Sequence, residues 1–99
     1  MKLERFPLKD CFGFAKYRYH GIAPNNSLEE ILLRKFGGKG SIFANKLLIY
    51  RSKYLHVTAP LDGNSLTVTY KVHQGKEMWI SRFENALLEF LEETIWEKN

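Results

Sequence analysis

Cysteine is almost missing from this 99-residue chain. Cys11 stands alone, so no intrachain disulfide can form, and a reducing, cytoplasmic setting is expected. Long hydrophobic runs are missing as well. The longest, Leu47–Tyr50, falls far short of a membrane span. The opening MKLERFPLKD carries charges every few residues where a secretory signal would need an apolar stretch. The reading is a chain with no membrane association.

Reactive groups in recognisable arrangements are equally scarce. His20, His56, His73 and Cys11 show no close ligand spacing such as C-x2-C or H-x3-H, so no metal site is expected. Cys11 has no partner histidine at a recognisable family spacing. A phosphate-cradling loop needs a Gly-Lys-Ser/Thr triplet and a glycine upstream of it. Here Gly38-Lys39 is followed by Gly40, and the upstream position is Leu33. The carboxylates best placed for acid–base work, Glu29, Glu30 and Glu84, all fall at expected helix starts, where they have structural roles. With no catalytic constellation and no cofactor motif, a non-enzymatic binding protein is expected.

Acidic residues are thin in the first part of the chain. Residues 1–58 hold 11 Lys/Arg against 4 Asp/Glu, whereas residues 59–99 hold 4 against 7. Such an asymmetry suggests a folded body with one positive face and an anionic partner, most often nucleic acid. A solvated surface whose two halves neutralise each other would give the same count. The aromatic content of 14% and charged content of 26% argue for an ordered globular chain, and its length for one domain over residues 1–99.

Strands are expected at about 11–20, 42–51, 53–59 and 66–73, with a further one at 76–80. The alternation in KYLHVTA and LTVTYKVH turns Leu55, Val57, Ala59, Leu66, Val68, Tyr70 and Val72 inward. It leaves Tyr54, His56, Thr58, Thr67, Thr69, Lys71 and His73 on the other face, and pairing Thr58 with Thr67 sets His56 against Thr69. Within CFGFAKYRYH, strict alternation separates Phe12 and Phe14 from Tyr17 and Tyr19. A β-bulge near Gly13–Ala15 would reunite the four rings, with Lys16, Arg18 and His20 opposite.

Two helices are expected, at about 28–36 and 82–96, each opened by a capping box: Ser27 with Glu30, and Ser81 with Glu84. A second-helix start at 77 would place Glu84 inside the apolar stripe of Ile80, Phe83, Leu87 and Leu91, which is costly unless the carboxylate is paired. The later start is therefore preferred. Together these elements predict an α+β fold, an antiparallel sheet of four to five strands packed on one face by two helices.

The segment Gly37-Gly38-Lys39-Gly40 resembles the G-x-x-G loop of the K-homology RNA-binding family. With 41–51 helical, the element order over residues 12–96 would follow that family's eukaryotic type. The resemblance implies a loop that clamps the backbone of about four nucleotides. The strand-forming content of LLIYR points instead to a helix that simply ends at Gly37.

Cations and rings interleave in KYRYH and YRSKY, a combination that joins phosphate neutralisation to base stacking. The candidate contact residues are Lys16, Arg18, Arg51 and Lys53, with Lys39 on the glycine loop. On a sheet the same pattern also arises from core tyrosines and their solvated neighbours. The competing role is a protein-binding accessory or inhibitor module, phage- or antitoxin-like, working by surface complementarity. Trp96, on the polar side of the last helix, would then mark a partner interface or a homodimer contact.

Overall fold

Helix α1 (Asn26–Phe36) stops at Gly37, and within two residues the chain is a strand, β3 (Lys39–Phe43). The computed structural model describes residues 3–98, with side chains described over residues 3–93. Before α1 lie β1 (Glu4–Leu8) and β2 (Ala15–His20). After β3 come β4 (Leu47–Arg51), β5 (Leu55–Pro60), β6 (Ser65–Tyr70) and helix α2 (Lys76–Lys98). The six strands form one antiparallel sheet in the order β1-β2-β6-β5-β4-β3. The α+β class is as expected, with more strands than the four to five read from the sequence.

The helix end explains the glycines. Gly37 takes a positive φ of 71° and donates its N–H to the Leu33 carbonyl at 2.9 Å, closing the last turn. Gly38, also at positive φ, passes so close to the Arg51 carbonyl oxygen that a β-carbon there would collide with it. Because 39–43 and 47–51 are strands, the helix–loop–helix order of the K-homology family is absent. The expected strand 42–51 is really two, reversed at Ala44 and Asn45. Both residues adopt left-handed backbone, φ 54° and 57°, as the central pair of a type I′ turn does.

The core lies between the sheet and the two helices. Strand residues Tyr19, Leu48, Tyr50, Leu55, Val57, Ala59, Leu66, Val68 and Tyr70 are buried against Leu28, Ile31 and Leu32 of α1 and Phe83, Ala86, Leu87 and Phe90 of α2. Each large side chain so buried contributes about 1.5–3 kcal/mol. The inward rows expected for β5 and β6 are those observed, and Thr58 pairs with Thr67 and His56 with Thr69.

Five expectations fail for physical reasons. No strand forms at 76–80, because β6 already has β2 on one side and β5 on the other. That segment is the first part of α2, which starts at Lys76 and not near 82 behind a Ser81–Glu84 box, and Glu84 is paired after all, as described below. The α1 cap is Asn25, whose side chain accepts the Ser27 N–H at 2.8 Å, so the Ser27–Glu30 box does not form. No bulge reunites the rings of residues 12–19. Tyr17 and Tyr19 turn inward, whereas Phe14 keeps to the face of Lys16 and Arg18, and Phe12 is 86% exposed in the β1–β2 loop. Tyr54 also leaves the outward row, packing its ring 5.0 Å from Trp79 of α2.

Candidate functional site

Both helices cover one face of the sheet, and the other face is open. Alternation delivers its side chains from every strand, and the register aligns them in rows across the sheet. One row runs Leu8, Lys16, Thr69, His56, Arg51 and Lys39. The next holds Phe6, Arg18, Thr67, Thr58, Ile49 and Ser41. Four of the five cations proposed from the sequence, Lys16, Arg18, Lys39 and Arg51, thus share this face, joined by Lys71 just beyond β6. Lys53 does not share it. It sits in the β4–β5 turn with its Nζ 5.3 Å from the Tyr54 ring, at the end of the sheet nearest α2.

The surface is concave in two places. One hollow of about 520 Å³ lies over β2, β6 and β5, lined by Lys16, Arg18, His56, Thr67, Thr69 and Lys71 and bounded by Asp10, Phe12 and Phe14 of the β1–β2 loop. Asp10 holds that loop, its carboxylate accepting the Phe12 and Phe14 N–H groups at 3.0 and 3.1 Å. The second, about 600 Å³, lies beside Lys39, Ser41, Ile49 and Arg51.

Electrostatics separates the two faces. Eight of the eleven acidic residues lie in the two helices, and ten of the fifteen basic residues lie outside them. Among the described residues the ion pairs all engage a helix: Arg5 with Glu84 at 2.8 Å, and Arg34 and Lys35 with Glu89 at 2.6 and 2.7 Å. Among the described residues none of the five open-face cations has a carboxylate within ion-pair distance. Lys39 and Arg51 face each other directly across β3 and β4, an arrangement of like charges that works against pairing. His56 lies among these charges. Partial burial first, and then Arg51, Lys71 and Lys16, hold its imidazole below the ordinary histidine pKa.

Beneath the sheet a second polar cluster closes on itself. Burial pushes the Tyr19 and Tyr70 phenols far above the ordinary tyrosine range, so both remain neutral donors. Among the described residues no group of three or more His, Cys, Asp or Glu side chains is placed to hold a metal ion, and no helix is long and apolar enough to cross a membrane. The Trp96 side chain, expected at a partner interface, lies outside the described side chains.

Sequence reasoning undervalued two exposed rings, Phe12 and Phe43. The second is 69% exposed and stands on β3 in the same outward set as Lys39 and Ser41. Strict alternation in residues 11–20 carries the signal for Phe12, which it places on the face of Lys16 and Arg18. No family model matches the chain, and neither a curated protein nor a solved structure matches it.

Proposed function

We propose that this protein binds nucleic acid, without catalysis, through the open face of its sheet. The observation that carries the reading is the set of five cations, Lys16, Arg18, Lys39, Arg51 and Lys71, gathered on one face with no ion-pair partner among the described residues. Cations gathered on one face without ion pairs lose stability by mutual repulsion, and an anionic ligand relieves that cost. Repeated phosphates fit a field spread over several strands better than a single small anion does. Thr58, Thr67 and Ser41 stand among the cations with hydroxyls able to donate to phosphate oxygens. The lone cysteine favours the cytoplasm as the place of action.

Fluorescence anisotropy with labelled oligonucleotides of random sequence, at about 50 and 200 mM salt, tests the reading. Binding at low salt that weakens steeply at high salt is expected, because each neutralised phosphate releases counterions. Lys16→Glu with Arg18→Glu should weaken binding while thermal stability stays nearly unchanged. No binding at low salt removes the proposal and leaves a protein partner as the remaining reading.

A further inference from the structure

We infer that the nucleic acid this face takes is single-stranded, held with its bases stacked on Phe12 and Phe43 at opposite corners of the open face. The inference rests on the nucleic-acid reading above and adds the form of the ligand.

Three observations carry it. The first is the shape of the face. Six strands at the usual inter-strand spacing put β1 and β3 about 24 Å apart, and a B-DNA major groove is only about 12 Å wide. The sheet cannot enter that groove as a two-stranded ribbon does. Both helices lie on the far side, so no helix can enter it from this face either.

The second observation is the placement of the rings. Phe12 borders the hollow that holds Lys16, Arg18 and Lys71. Phe43 lies four residues along β3 from Lys39, at the opposite end of the strand and on the opposite flank of the sheet. The two are 86% and 69% exposed. Phe6 packs edge-on against His20 and Phe14 against His73, whereas Phe12 and Phe43 have no ring partner among the described residues. A ring facing water at the margin of a cation-bearing face can stack on a base only where base faces are free. In a duplex they are covered by the neighbouring pairs.

The third is the course of the charge. Arg18, Lys16 and Lys71 lie on the Phe12 side of the sheet and Arg51 and Lys39 on the Phe43 side, with His56 and Thr69 between them in the register. A flexible strand can follow the row Lys16–Arg51–Lys39 with its backbone on the cations, one end base on Phe12 and the other reaching Phe43 at the far end of β3. The span suits a short site, near the lower end of the roughly 4–16 nucleotides that an OB-fold barrel tracks.

The test is anisotropy with labelled 12-nucleotide oligo-dT, oligo-U and a 12-base-pair duplex, using wild type, Phe12→Ala and Phe43→Ala. Either single strand should bind at least tenfold tighter than the duplex. Each alanine variant should weaken single-strand binding by about 5- to 150-fold, the range expected for one lost base–aromatic stack, and leave the salt dependence unchanged. Both rings are exposed, so an unchanged melting temperature will show that the variants are folded. Duplex binding equal to or tighter than single-strand binding, or alanine variants that bind like wild type, overturns the inference while the nucleic-acid reading stands. Failure to bind any of the three probes overturns both.

Discussion

Tyr19 donates its phenolic hydrogen to Glu84 Oε2 at 2.7 Å, joining the second strand of the sheet to the C-terminal helix. Arg5 donates to the same oxygen at 2.8 Å, and the Tyr70 hydroxyl lies 2.9 Å from that of Tyr19. Since Tyr19 gives its only proton to the carboxylate, Tyr70 is the donor in that pair. The chain Tyr70–Tyr19–Glu84–Arg5 thus runs from a central strand to an edge strand, and it accounts for a glutamate beside the apolar stripe of α2.

Glu84→Ala should therefore destabilise the fold by about 1–3 kcal/mol, because it leaves the Tyr19 hydroxyl without its acceptor in a mostly buried site. Ser81→Ala should stay within about 0.5 kcal/mol, as an exposed residue inside a helix. Urea unfolding of the two variants gives the comparison. Should Ser81→Ala prove the costlier, helix α2 starts at Ser81 and not at Lys76.

The cap of α1 offers a second contrast. Asn25→Ala should cost about 0.5–2 kcal/mol through the lost bond to the Ser27 N–H, and Ser27→Ala distinctly less. Thermal unfolding of the pair decides which residue caps the helix.

Much of the sheet was legible because β5 and β6 bury one face and leave the other open, so period-2 alternation is clean there. β1 was not, since ERFPL carries Pro7 and two charges. Proline is tolerated on an edge strand, and Arg5 points toward Glu84, so neither residue breaks the strand. The break at Ala44-Asn45 was hidden because neither residue is a glycine, although both take positive φ. That hidden turn mattered for the site. Lys16 and Arg18 could be placed on one face from their own strand. The pairing of Lys39 with Arg51 could not be seen until 42–51 was known to be two strands. The start of α2 was misjudged because the partners of Glu84 lie 65 and 79 residues away in sequence.

Gly38→Ala should destabilise more than Gly37→Ala. Both residues take positive φ, so alanine is strained at either, at about 1–3 kcal/mol. At Gly37 the space is open, but at Gly38 the added carbon also meets the Arg51 carbonyl oxygen and the Ser52 side chain. Denaturation midpoints of the two variants check the order. Equal losses would mean that β4 moves aside freely.

His56 predicts a pH dependence with a definite sign. Its folded pKa lies below the ordinary 6.5, so the unfolded chain binds more protons between the two values. The associated stability is fully present above about 6.5 and is lost as pH falls through that window toward the folded pKa. His56→Gln should flatten this part of the stability–pH curve between about pH 7.5 and 5. A bound polyanion would offset Arg51, Lys71 and Lys16 and raise the His56 pKa, so affinity should increase as pH falls. An NMR titration in which His56 of the free protein titrates at or above 6.5 would contradict the prediction.

The facing cations of β3 and β4 separate stability from binding. Lys39 and Arg51 are direct cross-strand partners, and like charges so placed destabilise by about the 0.2–1 kcal/mol that opposite charges contribute. Lys39→Glu converts the pair into an attractive one on an exposed edge, so the variant should be as stable as wild type or slightly more so. The same change removes one phosphate contact and adds a repulsive charge, so oligonucleotide affinity should fall and its salt dependence become shallower. A surface cation with no ligand-binding role would show the first effect without the second. Melting temperature and anisotropy measured on one preparation decide the matter: a gain in stability with unchanged affinity would take Lys39 out of the binding face, and a loss of both would mean that the edge strand itself had been disrupted.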